Sequence, residues 1–198
     1  MPDGIHAALV AFTSTLSLAL KERDSYTRFH SDRVVGISTT LASHIQLTDR
    51  EIKFLRTAAA LHDIGKLGIP DSILLKPIKL DDVEFSIMKS HAEKGANLVL
   101  SVDYDGADIV AEAIRHHHEN YNGSGYPDQL SGDNIPILSR IISIADNYDA
   151  MATKRVYQKA KNHSSILNIM SNESGNKHDP QLFESFIKVI DKSSFRVA

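Results

Sequence analysis

Apolar residues recur at intervals of three and four along almost the whole chain, the spacing of one face of an α-helix. Ile5, Leu9, Phe12, Leu16 and Leu20 form the first stripe, and Tyr26, His30, Val34, Ile37 and Leu41 the second. Thr48 followed by Glu51 has capping-box spacing, in which the two side chains satisfy free amides of the first turn. The helix this predicts carries Ile52, Leu55, Ala58, Ala59 and His62 on one face and ends at Gly65. Asp81 and Glu84 repeat the start signal ahead of Ile87, His91, Gly95 and Leu98. Val110, Ala113, Ile114 and His117 make another stripe, and Leu138, Ile141, Ile142, Ala145, Asp146 and Asp149 one more. Ile166, Leu167 and Met170 precede a stop at Gly175. Asp179-Pro180, an N-cap with proline in the first turn, leads into Leu182, Phe186 and Val189. No stretch alternates with period two. The pattern predicts an all-α fold, a compact bundle of about seven or more helices, with residues 1–198 as a single domain. The segment from Glu119 to Pro136 interrupts it with Gly123, Gly125, Pro127, Gly132 and Pro136. A run of that length without periodicity inside a domain is uncommon and usually functional.

Composition narrows the classes of function. The 198 residues hold 22 Lys and Arg against 25 Asp and Glu, a net charge of −3, which argues against sequence-blind DNA or RNA binding. There is no cysteine, so disulfides and thiolate chemistry are excluded, and a reducing, cytoplasmic setting is expected. Gly4 to Leu20 lacks Asp, Glu, Lys and Arg, yet its hydroxyl residues, its helical stripe and the acidic Asp3 ahead of it favour a docked amphipathic helix over a signal or membrane segment. The unusual feature is histidine, with 10 copies, three of them consecutive at positions 116–118.

His30, His62, His91, His117 and Asp146 each fall on the apolar face of a different predicted helix. A buried imidazole or carboxylate costs several kcal/mol unless it is paired or ligates a metal. If the faces meet in one core they build a ligand set suited to divalent transition metals. A neighbouring pair such as His62-Asp63 points about 100° apart on a helix, so the carboxylate can bridge two ions while the histidine serves one. Lys66 projects beside them. His178-Asp179 is a second copy of the dipeptide, and helix capping ahead of Pro180 accounts for its acid.

Several runs together resemble the HD-GYP domain, a group of HD phosphohydrolases. They are His62 to Pro70, Ile73 to Pro77, His91, His117-His118-Glu119, Gly123 to Pro127, Ile135 to Asp146, Arg155 to Tyr157, and Asp24 to Val34. The resemblance implies a phosphodiesterase that hydrolyses cyclic di-GMP to pGpG, with GMP as a further product left open, through a cluster of divalent transition-metal ions. Iron or manganese is expected first, and nickel or zinc suits the same donors. It implies one ion held by His30, His62, Asp63 and Asp146 and another by His91, His117 and His118, with Asp63 bridging both. It further implies that Lys66 contacts the scissile phosphate, that Arg155 meets substrate phosphates, and that Gly125, Tyr126 and Pro127 contact substrate or a partner such as a diguanylate cyclase domain.

The chain departs from that pattern at three positions. Tyr26 stands where members with three metals carry a glutamate, so two ions are expected; Asn122 replaces an aspartate and Gln158 a basic residue. Two ions about 3.5–4 Å apart make a nucleophile of bridging water and clamp both the attacking and leaving oxygens of a phosphodiester. Another cyclic dinucleotide such as cyclic GMP-AMP, a broader nucleotide phosphohydrolase, and a non-catalytic binding module stay open as alternatives.

Overall fold

A computed structural model describes residues 15, 18, 27–153 and 160–197. Among the described residues there are nine α-helices and no strand: α1 (Thr27–His44), α2 (Asp49–Leu61), α3 (Asp71–Leu74), α4 (Asp82–Lys89), α5 (His91–Leu100), α6 (Ala107–Arg115), α7 (Ile137–Ala152), α8 (His163–Glu173) and α9 (Pro180–Ile190), with 3-10 turns at Ile64–Gly68 and Gly132–Asn134. The expected all-helical architecture is therefore observed. The first stripe, Ile5 to Leu20, and the expected substrate residue Arg155 lie outside the described residues, as do Tyr26 and Gln158. No helix among the described residues is long and apolar enough to cross a membrane.

Helix α1 packs against α2 and α7, α6 against α2, α5 and α7, and α9 against α1 and α7. Their stripes meet in one cluster containing Val34, Leu41, Leu55, Ile114, Ile141 and Phe186. Each such side chain stabilises the fold by about 1.5–3 kcal/mol through loss of apolar surface. The C-terminal tail closes this side of the bundle. The Phe195 ring lies on α1 at Gly36, where a Cβ would fall 2.1 Å from the ring. The Val197 amide donates to the Tyr148 hydroxyl on α7, and Tyr148 in turn donates to His163 Nδ1.

Two boundaries differ from the expectation, both next to the histidines. Helix α2 ends at Leu61 rather than Gly65, because Asp63 takes φ −96° and ψ 1°, outside the helical region, and a 3-10 turn follows. That conformation is sparsely populated and recurs at active sites. The stripe from Ile87 to Leu98 is carried by two helices that meet at Ser90, whose hydroxyl donates to the Ile87 carbonyl at 2.6 Å and competes with the helical pattern. Ile87 and Leu98 are consequently exposed, and no residue of α4 is buried. At the C-terminus Ile190, not Val189, completes the α9 core face.

The loop from Glu119 to Pro136 is tied down at both flanks. Asp128 accepts from Arg115 Nε and Nη2 and from His116 Nε2, and its own amide donates to the buried Glu119 carboxylate. Tyr121 and Asn122 amides donate to the carbonyls of Lys177 and Asn176, which pins the loop to the turn before α9. Gly125 is pressed against the loop's own start: a Cβ there would lie 2.2 Å from the Asn120 nitrogen and 2.6 Å from the His118 carbonyl oxygen. No side chain fits at that position.

Candidate metal centre

Local backbone geometry aims the histidines before any tertiary contact is counted. His62 directly follows the last residue of α2, and His117 and His118 lie in the turn just past α6, so these three occupy helix ends rather than helical faces. A helix C-terminus carries partial negative charge that favours cations. The Nδ1 atoms of His62, His91 and His117 lie 2.8, 2.8 and 2.6 Å from the carbonyl oxygens of Ala59, Met88 and Ile114. A carbonyl only accepts, so each Nδ1 carries the proton and each Nε2 presents a lone pair. The Nε2 atoms of His62 and His117 are buried without any hydrogen-bond partner. Such atoms are costly in a native fold unless something absent from the polypeptide satisfies them.

The lone pairs and carboxylates gather in two groups. One consists of His30, His62 and Asp146 and the other of His91, His117 and His118, the donor atoms within each lying no more than 4.8 Å apart. The rings form a continuous series, with centroids 5.2 Å apart for His30–His62, 5.3 Å for His62–His117 and 5.4 Å for His117–His91. Asp63 stands between the groups: Oδ2 lies 3.6 Å from His62 Nε2 and Oδ1 lies 3.6 Å from His91 Nε2. Lys66 Nζ donates to Asp63 Oδ2 at 2.7 Å. Gly65 makes this approach possible, since a Cβ on it would sit 1.9 Å from the His91 carbonyl oxygen and 2.5 Å from the Gly95 nitrogen. The 3-10 turn therefore lies directly on the α5 backbone and carries Asp63 to His91.

The electrostatics prepare most of these groups as ligands. Burial, reinforced by the neighbouring imidazoles, holds His117 well below the usual histidine range, and burial together with His91 pushes His118 down to about 3. His91 is lowered by burial despite the opposing charge of Asp63. Burial pushes the Asp63 carboxyl up, but Lys66 and the surrounding histidines outweigh it and hold the group well below the usual carboxylate range. Asp146 is likewise lowered, burial being outweighed by His30, His62 and His118. Neutral imidazoles and ionised carboxylates are the states that bind metal. His30 differs: burial works against its charge, yet hydrogen bonds to Asp146 and Asp149 raise it to about 9. A cation taking its Nε2 displaces a proton.

All seven expected ligands, His30, His62, Asp63, His91, His117, His118 and Asp146, are thus brought together, with Lys66 on the central carboxylate. Tyr126 lies on His118 with ring centroids 4.9 Å apart, while Gly125 and Pro127 flank it in the loop. Its hydroxyl is pushed up by burial and by the charges of Asp146 and Asp63. One contributor escaped sequence reasoning. Asp149, placed on the α7 stripe without a role, accepts from His30 Nδ1 at 2.7 Å and from Arg33 Nε and Nη2 at 2.5 and 3.0 Å. A carboxylate behind a metal-binding histidine fixes its tautomer and orientation. The signal was an acid three residues after Asp146 on an apolar face.

The donor set of imidazoles and carboxylates, with orphaned lone pairs facing one another, fits divalent transition metals. Comparison with known proteins agrees with this chemistry. The HD domain profile matches residues 13–182. A cyclic di-GMP phosphodiesterase of Pseudomonas aeruginosa is 36% identical over 190 residues, which is 95% of this chain and 45% of that protein. A cyclic di-GMP phosphodiesterase of Vibrio cholerae is 39% identical over 92% of this chain and 40% of its own length. A 3'3'-cGAMP-specific phosphodiesterase of the same organism is 37% identical over 89% of this chain and 34% of its own. Among solved structures, a cyclic GMP-AMP specific phosphodiesterase of V. cholerae superposes with a TM-score of 0.70 at 20% identity, covering 93% of this chain and 49% of that one. The chain spans less than half the length of these relatives. With the profile covering most of its residues and relatives above one-third identity along nearly all of its length, this chain belongs to the HD domain family, in its HD-GYP group.

Proposed function

We propose that this chain is a metal-dependent phosphodiesterase of cyclic dinucleotides, with cyclic di-GMP as the leading substrate and pGpG as the first product. The observation that carries this reading is Asp63, whose two oxygens face one histidine from each group while Lys66 holds the same carboxylate. His30, His62 and Asp146 would hold one ion, His91, His117 and His118 the other, and Asp63 both. When bound, such a pair supplies Lewis acidity and an activated water at neutral pH.

The residues of the chain do the rest. Carbonyl hydrogen bonds lock three imidazoles with Nε2 toward the centre. Lys66, next to that centre and half-buried, is positioned to meet a phosphate oxygen and to stabilise the charge that develops on it, an effect strongest where water is excluded. Tyr126 covers His118 and restricts solvent access from the loop side. No separate protein base is required. Iron or manganese is the expected pair. Cyclic GMP-AMP is the second substrate reading, supported by the 37% identical relative named for 3'3'-cGAMP.

Metal analysis of anaerobically purified protein, combined with chromatography of products from a panel of cyclic dinucleotides, tests this reading. Two ions per chain and pGpG are the expected results. A preference for cyclic GMP-AMP would select the second substrate, and bound metal without cleavage of any panel member would replace the enzyme by a binding module.

A further inference from the structure

The rim of the metal centre carries a cation that the hydrolytic reading does not use. Lys89 is the last residue of α4 and stands two residues before His91. Its ammonium lies 5.7 Å from the centroid of the Tyr126 ring and 5.4 Å from that of Phe85. Tyr126 rests in turn on His118, so Lys89 sits one aromatic ring beyond the second histidine group. Lys66 and Lys76 are engaged by Asp63 and Glu84, whereas among the described residues no carboxylate lies within ion-pair distance of Lys89. At the start of α4, Glu84 is engaged by Lys76 and by the amide of the capping Asp81, and Asp81 by the Glu84 amide. Two ring faces orient the ammonium through their quadrupoles but leave its N–H donors for a stronger acceptor.

On the cyclic-dinucleotide reading above, we propose that Lys89 binds the second phosphate of the substrate and so selects two-phosphate rings over single phosphodiesters. A cyclic dinucleotide carries two phosphodiesters in one covalent ring. With one at the paired carboxylate and histidine groups, the other must lie a short distance away, at the rim. Charge-assisted contact between an ammonium and a phosphate is stronger than contact with an aromatic face, so the anion draws Lys89 off Tyr126 and Phe85. The weakly anchored α4, with no residue buried and Phe85 exposed, permits that movement. Arg155, outside the described residues, remains a separate candidate for phosphate contact.

Steady-state kinetics on metal-loaded Lys89→Met and Lys89→Arg, with cyclic di-GMP and with the small diester bis(p-nitrophenyl) phosphate, provide the test. Lys89→Met keeps the aliphatic stem and is expected to raise KM for cyclic di-GMP about tenfold or more, as expected for loss of a contact to a charged group. Selectivity for the dinucleotide over the small diester should fall by the same factor, and KM should depend less steeply on salt. Lys89→Arg should restore most of the selectivity. Selectivity within twofold of the parent in Lys89→Met, or an equal loss on both substrates, would overturn the role of Lys89. A parent protein that cleaves the small diester and leaves every cyclic dinucleotide intact would instead overturn the substrate reading, and the second-phosphate role with it.

Discussion

His62-Asp63 and His178-Asp179 are the same dipeptide at opposite ends of helices. The first follows α2. Its histidine donates to the Ala59 carbonyl and leaves Nε2 unsatisfied, and its acid leaves the helix and faces His62, His91 and Lys66. The second precedes α9. Asp179 Oδ1 accepts from the amides of Gln181 and Leu182 while Oδ2 accepts from Arg140 at 2.7 Å. His178 stacks on Phe183 with centroids 6.1 Å apart. A helix start supplies amides that consume the lone pairs of an acid. A helix end supplies carbonyls that fix an imidazole and leave its other nitrogen for a cation. Helix polarity, more than the dipeptide itself, separates chemistry from capping.

The sharpest way to break this contrast is to truncate both acids. Asp63→Ala should lose both ions and all measurable turnover, read by metal analysis and product chromatography. Asp179→Ala should keep its metal and lose about 1 kcal/mol of stability, up to roughly 2, read by urea unfolding. Equal metal contents in the two variants would dissolve the distinction. Next in size, Lys66→Ala should retain metal and lose about 10²–10³-fold in kcat, the scale of one removed donor to developing charge. A smaller effect is expected one layer out. Asp149→Asn should weaken metal binding about 10–100-fold, measured by competition with a chelator, because His30 loses its carboxylate acceptor while Arg33 loses its ion pair.

The smallest effect belongs to the second dipeptide and concerns pH. Burial, aided by Lys177, lowers His178 from an ordinary value near 6.5 to about 4. Between those values the unfolded chain binds a proton that the folded chain refuses, so this residue's contribution to stability is intact above pH 6.5 and declines as pH falls toward 4. His178→Phe should therefore shrink the loss of urea midpoint between pH 7 and pH 5. An unchanged loss would mean that another group carries it.

The periodicity of apolar positions made the bundle legible, since one stripe per helix is what a helical core requires. It also marked the candidate ligands, because His30, His62, His91, His117 and Asp146 are polar residues on stripes where packing wants none. What stayed hidden depended on contacts between distant residues or on competition at a single hydroxyl. Asp149 matched its stripe, yet its partners His30 and Arg33 are more than a hundred residues away and no local spacing pairs them. Ser90 is an ordinary residue in a helical pattern, and nothing in its spacing marks the junction at which its hydroxyl bonds Ile87. Lys89, at the end of α4, has no spacing in the sequence that ties it to the distant Tyr126.

Gly65 fixes more than a turn. Because no side chain separates its backbone from α5, the stride between the two proposed cation seats is gauged by main-chain contact and not by the length of any donor. Exchanging one imidazole or carboxylate can retune which ion loads, but it leaves that gauge intact. Adding a single methyl at this position would spread the seats while leaving every donor in the polypeptide.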